Sequence, residues 1–93
     1  MKFAVVSCIE RDINLEAVCD TRDEAIEKMK ECFFEFHRTC GCSEEDIDSM
    51  RTLMEFTDDL ETDYFGYHIG EDMYAWSNEI EDIYLDISIL EIK

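Results

Sequence analysis

The chain has no proline and only three glycines among its 93 residues. So few glycines cannot build a glycine-rich phosphate cradle, and no Walker motif or nucleophile elbow is present. No Pro-rich or Gly/Ser-rich linker and no internal repeat divides the sequence, so residues 1–93 read as a single domain. Bases are scarce as well. Lys and Arg total 8 against 25 Asp and Glu, a formal net charge of −17. That sign argues against direct binding to nucleic acid, because phosphate recognition needs a basic surface. It disfavours an anionic membrane surface for the same reason. No apolar run approaches the roughly 20 residues of a membrane span. The opening Met1-Lys2-Phe3-Ala4-Val5-Val6 lacks the long apolar segment and cleavage site of a signal peptide.

Apolar residues make up 46% of the chain and aromatics 12%, far more than disordered acidic tails contain. A domain of this size buries roughly 60–65% of its unfolded surface, enough to fold alone with little to spare. Repulsion among the acids narrows that margin, so stability is expected to rise with added salt unless a partner supplies countercharge. Five cysteines (Cys8, Cys19, Cys32, Cys40 and Cys42) form an odd set. Free thiols in a reducing cytoplasm are the simplest reading.

The alternation of Phe3, Val5 and Ile9 with Ala4, Val6 and Cys8 predicts a strand over 2–9, apolar on both faces. Glu10-Arg11-Asp12 reads as a turn, and 13–19 as a second strand with Ile13, Leu15, Ala17 and Cys19 on one face. Thr21-Arg22-Asp23-Glu24 is a capping box. It opens a helix whose Ala25, Ile26, Met29, Cys32, Phe33, Phe36 and Cys40 recur at spacings of three and four, with Gly41 as its stop. Ser43-Glu44-Glu45-Asp46 opens a second helix, where early acids suit the positive helix end. Ile47, Met50, Leu53 and Met54 form its stripe, and it ends near Phe56.

Residues 57–62 then read as an acidic loop, followed by a hairpin of 64–69 and 73–77. A last strand over 82–92 carries Ile83, Leu85, Ile87 and Ile89 on one face. The predicted class is α+β: an antiparallel sheet of about five strands, two helices inserted after the first hairpin, order ββααβββ. Alternation in the last strand indicates one solvated face.

No constellation satisfies a catalytic template, and no catalytic residue, metal or cofactor is assigned. His37, Cys40 and Cys42, with Cys32 a turn or so earlier, include metal-ligand types. However, they lack a second pair, and free cysteines commonly act as small core residues. Cys40 and His37 lie three apart, but a helix C-terminus raises a thiol's pKa rather than lowering it. Asp59, Glu61 and Asp63 open like a calcium loop. Positions six and twelve are then Tyr64 and Gly70, where glycine and glutamate are required. A glycosidase pair of carboxylates would need a walled cleft that 93 residues leave little protein to build.

Charge is distributed unevenly. Residues 1–42 carry nine acids and six bases, and residues 43–93 carry sixteen acids and two bases. Between Thr52 and Ile92 there are twelve acids and no Lys or Arg. Asp58, Asp59, Glu61, Asp63, Glu71, Asp72, Glu79, Glu81 and Asp82 cluster at loops and strand ends. Such a cluster either keeps the domain soluble or forms a negative patch that competes for a basic nucleic-acid channel. Duplex DNA carries about one charge per 1.7 Å of axis, and carboxylates spaced along a sheet edge can approximate one strand of that charge. Tyr64, Phe65, Tyr67, Tyr74, Trp76 and Tyr84 fall on the last three strands. They serve as core or, on an open sheet face, as contact anchors, with Tyr67, Tyr74 and Trp76 the anchors expected.

Residues 1–36 (MKFAVVSCIERDINLEAVCDTRDEAIEKMKECFFEF), with their D-T-x-x-E-A-I-x-x-M helix start, resemble the opening of small acidic phage and mobile-element proteins. Residues 73–92 (MYAWSNEIEDIYLDISILEI) resemble their closing hairpin. The resemblance covers about two thirds of the chain, and its motifs are structural. Some proteins of this kind are anti-CRISPR proteins, several of which imitate DNA. It therefore implies a non-catalytic inhibitor of a host defence nuclease, cytoplasmic in a bacterial host. The partner would be a basic nucleic-acid-binding protein, an RNA-guided nuclease above all. The alternative of a different class is a small interaction module or homodimeric adaptor without mimicry.

Overall fold

A computed structural model describes residues 1–78, 80 and 83–92. The elements are β1 (Lys2–Ile9), β2 (Asp12–Cys19), α1 (Arg22–Thr39), α2 (Glu44–Phe56), β3 (Asp59–Glu61), β4 (Phe65–Ile69), β5 (Met73–Ser77) and β6 (Leu85–Ile92). All strand pairs are antiparallel, in the spatial order β2-β1-β6-β5-β4-β3. The last strand thus lies in the middle of the sheet and joins the N-terminal hairpin to the β3–β5 meander.

The caps form as the side chains dictate. Thr21 accepts from the Glu24 amide at 3.1 Å and Ser43 from the Asp46 amide at 3.1 Å. α1 ends with the Cys42 amide donating to the His37 carbonyl, and Gly41 takes φ +95°, a conformation that glycine adopts without a steric penalty. Arg38 then ties the helices together, reaching Glu35 at 2.8 Å and Glu44 at 2.6 Å. Ala25, Met29, Phe33, Phe34 and His37 of α1, with Ile47, Met50 and Met54 of α2, are buried. They belong to one core with Val5, Phe65, Tyr67, Met73, Ala75, Leu85, Ile87 and Ile89. Both helices therefore cover one face of the sheet, and the other face is left open.

Three expectations are corrected. The sheet has six strands, because the segment over 57–62, expected to be a loop, contains β3. Asp and Glu disfavour strands, but Leu60 packs against the core and Asp59, Leu60 and Glu61 pair with His68, Tyr67 and Gly66. Ile13 and Leu15 do not share a face with Ala17 and Cys19. The β1–β2 register slips between Val5, which faces Ala17, and Val6, which faces Leu15. This bulge makes Glu16 the extra residue and reverses which side chains point inward. Ala17 and Cys19 pack on the core, whereas Ile13 is 73% and Leu15 64% exposed. Finally, Cys40 is not on the buried stripe; it caps α1 and is exposed.

Candidate functional site

Register aligns the open face into rows. One row runs Glu61, Gly66, Trp76, Asp86, Cys8, Ile13, from the β3 edge to the β2 edge. The next runs Asp59, His68, Tyr74, Ser88, Val6, Leu15. Each row begins with a carboxylate, passes an aromatic side chain and ends with an aliphatic one.

Side chains interlock at the acidic end. The Trp76 indole N–H lies 3.2 Å from both carboxylate oxygens of Glu61. His68 Nδ1 lies 3.2 Å from Asp59 and its ring stacks on Tyr74, with centroids 5.4 Å apart. Trp76 in turn stacks nearly parallel on Tyr84 at 6.1 Å. The indole crosses β4 over Gly66. A Cβ there would lie 2.1 Å from Trp76 Nε1, so glycine is what admits the ring. A shallow concavity of about 430 Å³ opens over β5 and β6, bounded by Tyr74, Trp76, Tyr84, Asp72 and Asp86. Burial pushes the Asp86 carboxyl above its ordinary pKa. Burial also raises the Tyr84 hydroxyl, and the Asp86 and Glu61 carboxylates add to that shift. Aromatic faces beside carboxylates make a receptor for a guanidinium or ammonium group.

The expected residues separate in space. Asp59, Glu61, Tyr74 and Trp76 come together on the open face, with Asp72 at the rim of the concavity. Asp58 and Asp63 are exposed and flank β3 in sequence; the Asp58 carbonyl accepts from the Ile69 amide at 2.7 Å. Glu71 and Asp72 are exposed on the β4–β5 turn, where Arg22 donates to the Gly70 carbonyl at 3.0 Å. Glu79, Glu81 and Asp82 lie outside the described residues. Tyr67 is a correction. It is 1% exposed, in the core on the helix side, with the Lys30 ammonium 5.7 Å from its ring centre, so it is not a surface anchor. Tyr67 shares the parity of Phe65 and Ile69, and that alternation is the signal that places it inward. The same parity puts His68 outward opposite Tyr74, and the alternation of Leu85, Asp86 and Ile87 puts Asp86 beside Trp76.

His37 and Ser77 are fully buried. His37 Nδ1 lies 2.7 Å from the Phe33 carbonyl, which only accepts, so Nδ1 carries the proton. Nε2 lies 2.7 Å from the Ser77 hydroxyl. The Ser–His contact has the residue types of a nucleophile and its base, enclosed in the interior. Burial, and then the neighbouring Glu16 carboxylate, push the Cys32 thiol up to about 11, the opposite of nucleophile activation. Among the described residues no group of three or more His, Cys, Asp and Glu is placed to hold a metal ion. Nor is any described helix long and apolar enough to cross a membrane.

No protein-family model, curated protein or solved structure matches the chain.

Proposed function

We propose that the protein is a non-catalytic inhibitor. Its acidic, aromatic half-face would occupy a basic nucleic-acid-binding groove of another protein, in the manner of an anti-CRISPR protein acting on an RNA-guided nuclease. The observation that carries this reading is the concavity of Tyr74, Trp76 and Tyr84 walled by Asp72 and Asp86, with Asp59 and Glu61 beside it. No Lys or Arg occurs between Thr52 and Ile92. Arginine side chains that normally grip phosphate would meet carboxylates here, and the rings would add stacking. Binding of this kind is fast and weakens with salt. Five free thiols suit a reducing bacterial cytoplasm.

The test is competition. An RNA-guided nuclease loaded with its guide is titrated with labelled target DNA, with and without the protein, at two salt concentrations. The expected result is displacement of DNA that weakens as salt rises. Reversing Asp58, Asp59, Glu61 and Asp63 to Lys abolishes displacement while far-UV circular dichroism stays unchanged. Trp76→Ala, which truncates a central aromatic anchor, costs roughly 2 kcal/mol, or about 30-fold in affinity. Inhibition that survives the four charge reversals rules out charge mimicry through the 58–63 segment.

A further inference from the structure

The two edges of the sheet are built differently. β3 is three residues long and carries Asp59 and Glu61, the usual protection of an edge against pairing. β2 is eight residues long and has neither proline nor lysine. Its Ile13, Leu15 and Val18 are 73%, 64% and 51% exposed. Its bulge does not guard it. Glu16, the extra residue, turns toward the helices, where it accepts from the buried Ser7 hydroxyl at 2.8 Å and lies 3.8 Å from the Cys32 thiol. The one carboxylate in the middle of the edge is thus withdrawn from it, and the aliphatic side chains are left outward.

We propose that this edge is covered by a second copy of the chain, β2 against β2, as a two-fold antiparallel dimer. Charge favours this occupant. Residues 1–42 hold nine acids and six bases, whereas residues 43–93 hold sixteen acids and two bases, so copies meeting at β2 join their least charged parts. Five strand spacings separate β2 from β3, about 24 Å, so the acidic edges stand about 50 Å apart in the dimer. The Debye length is about 10 Å at 0.1 M salt, and repulsion between the two ends is screened.

Register agrees. The two-fold alignment that sets Ile13 opposite Val18 of the second copy also sets Arg11 opposite its Asp20. That carboxylate already pairs with its own Lys2, and Arg11 completes a three-charge bridge. Such a contact is self-complementary and closes at two chains, because the β3 edge is too short and acidic to continue it. An eight-residue ladder with three aliphatic side chains per copy falls short of the about 800 Å² per partner of tight complexes, so micromolar affinity is expected.

Sedimentation velocity of the full chain over about 1–500 µM, in buffered salt with reductant, tests the proposal. The wild type is expected to shift from the mass of one chain to that of two. Ile13→Lys with Leu15→Lys changes only exposed side chains. It should keep the circular-dichroism spectrum and weaken dimerisation at least tenfold. Arg11→Glu alone and Asp20→Lys alone should each weaken it, and the two together should restore it. Asp59→Lys with Glu61→Lys, at the far edge, should leave it intact whatever becomes of inhibition. A wild type that stays one chain at the highest concentration overturns the proposal. So does growth beyond two chains, dimerisation unaffected by the β2 lysines, or a charge swap that fails to restore pairing.

Discussion

The two ends of the open sheet face differ in kind. At the β3 end, carboxylates are tied to ring N–H groups: Glu61 to Trp76, and Asp59 to His68. At the β2 end, Ile13, Leu15 and Val18 stand in solvent with no polar neighbour among them in the strand alternation. The two ends are opposite halves of the chain. The N-terminal hairpin builds one, the β3–β5 meander builds the other, and β6 closes between them. An asymmetry of charge along the sequence thus becomes an asymmetry across one surface. The same domain has an acidic, aromatic end and, some 24 Å away, an apolar edge. Neither end has the chemistry of the other, so a substitution at one should be silent at the other unless it disturbs the seam.

The seam is where the largest effect is expected. Ile87 faces the helices from β6, fully buried, with Ser7 of one half and Ala75 of the other as its register neighbours. Ile87→Ala removes buried methyl groups and leaves a cavity, at a cost of about 2–5 kcal/mol, and both ends should unfold in one transition. Leu90 on the same strand is 54% exposed on the open face, and Leu90→Ala should stay within about 0.5 kcal/mol. Urea denaturation followed by Trp76 fluorescence and by far-UV circular dichroism measures both. Non-coincident transitions for Ile87→Ala would mean that the two halves are separately stable and that the seam does not couple them.

A smaller and more local effect separates the ends. Gly66→Ala puts a methyl group where Trp76 Nε1 lies, 2.1 Å from the new carbon, and the indole must leave Glu61. Overpacking of this kind costs about 1–3 kcal/mol. Trp76 is the single tryptophan, so its emission should shift to the red as the ring moves toward water. The dimer equilibrium at β2 should not change. An unchanged emission maximum would mean that the indole does not rest on Gly66 in solution.

Most of this architecture is legible in the chain, and the exceptions have physical causes. Thr21 and Ser43 announce their helices because a hydroxyl at that position satisfies an orphan amide whatever surrounds it. β6 is legible because Leu85, Ile87 and Ile89 must all face one core. β3 is not, because nothing local favours Asp-Leu-Glu as a strand; its pairing is supplied by β4, 65–69. The bulge is hidden for a different reason. Ile13, Leu15, Ala17 and Cys19 alternate perfectly, and the phase break shows only in the β1–β2 register and in the bonds that Glu16 accepts from Ser7 and Cys32. In the candidate site, residue type misled where parity did not. An aromatic residue in an acidic region suggests contact, but Tyr67 falls in phase with Phe65 and Ile69, and packing decided its side.

The smallest expected effect tests whether the acidic end is arranged for stability or for binding. Asp86 lies in the row between Trp76 and Cys8, at the boundary of the two halves, and burial raises its pKa above the ordinary 3.8. A raised carboxyl favours the protonated folded state. Its contribution is complete below 3.8 and is lost as pH rises through the folded value, so at neutral pH the ionised group opposes folding. Asp20 and Glu44 have the opposite sign. Their pKa values are lowered first by the hydrogen bonds from Lys2 and Arg38, and their contribution is lost as pH falls. Asp86→Asn should therefore raise the melting temperature at pH 7, and the gain should vanish by pH 3, where the wild-type carboxyl is protonated too. A loss of stability at pH 7 would mean that the carboxylate makes a net favourable contact. If the stabilised variant also displaces less target DNA from the nuclease in the competition assay, the unfavourable charge is kept for recognition: a carboxylate partly stripped of water and set against Trp76 holds an incoming cation more strongly than a solvated one.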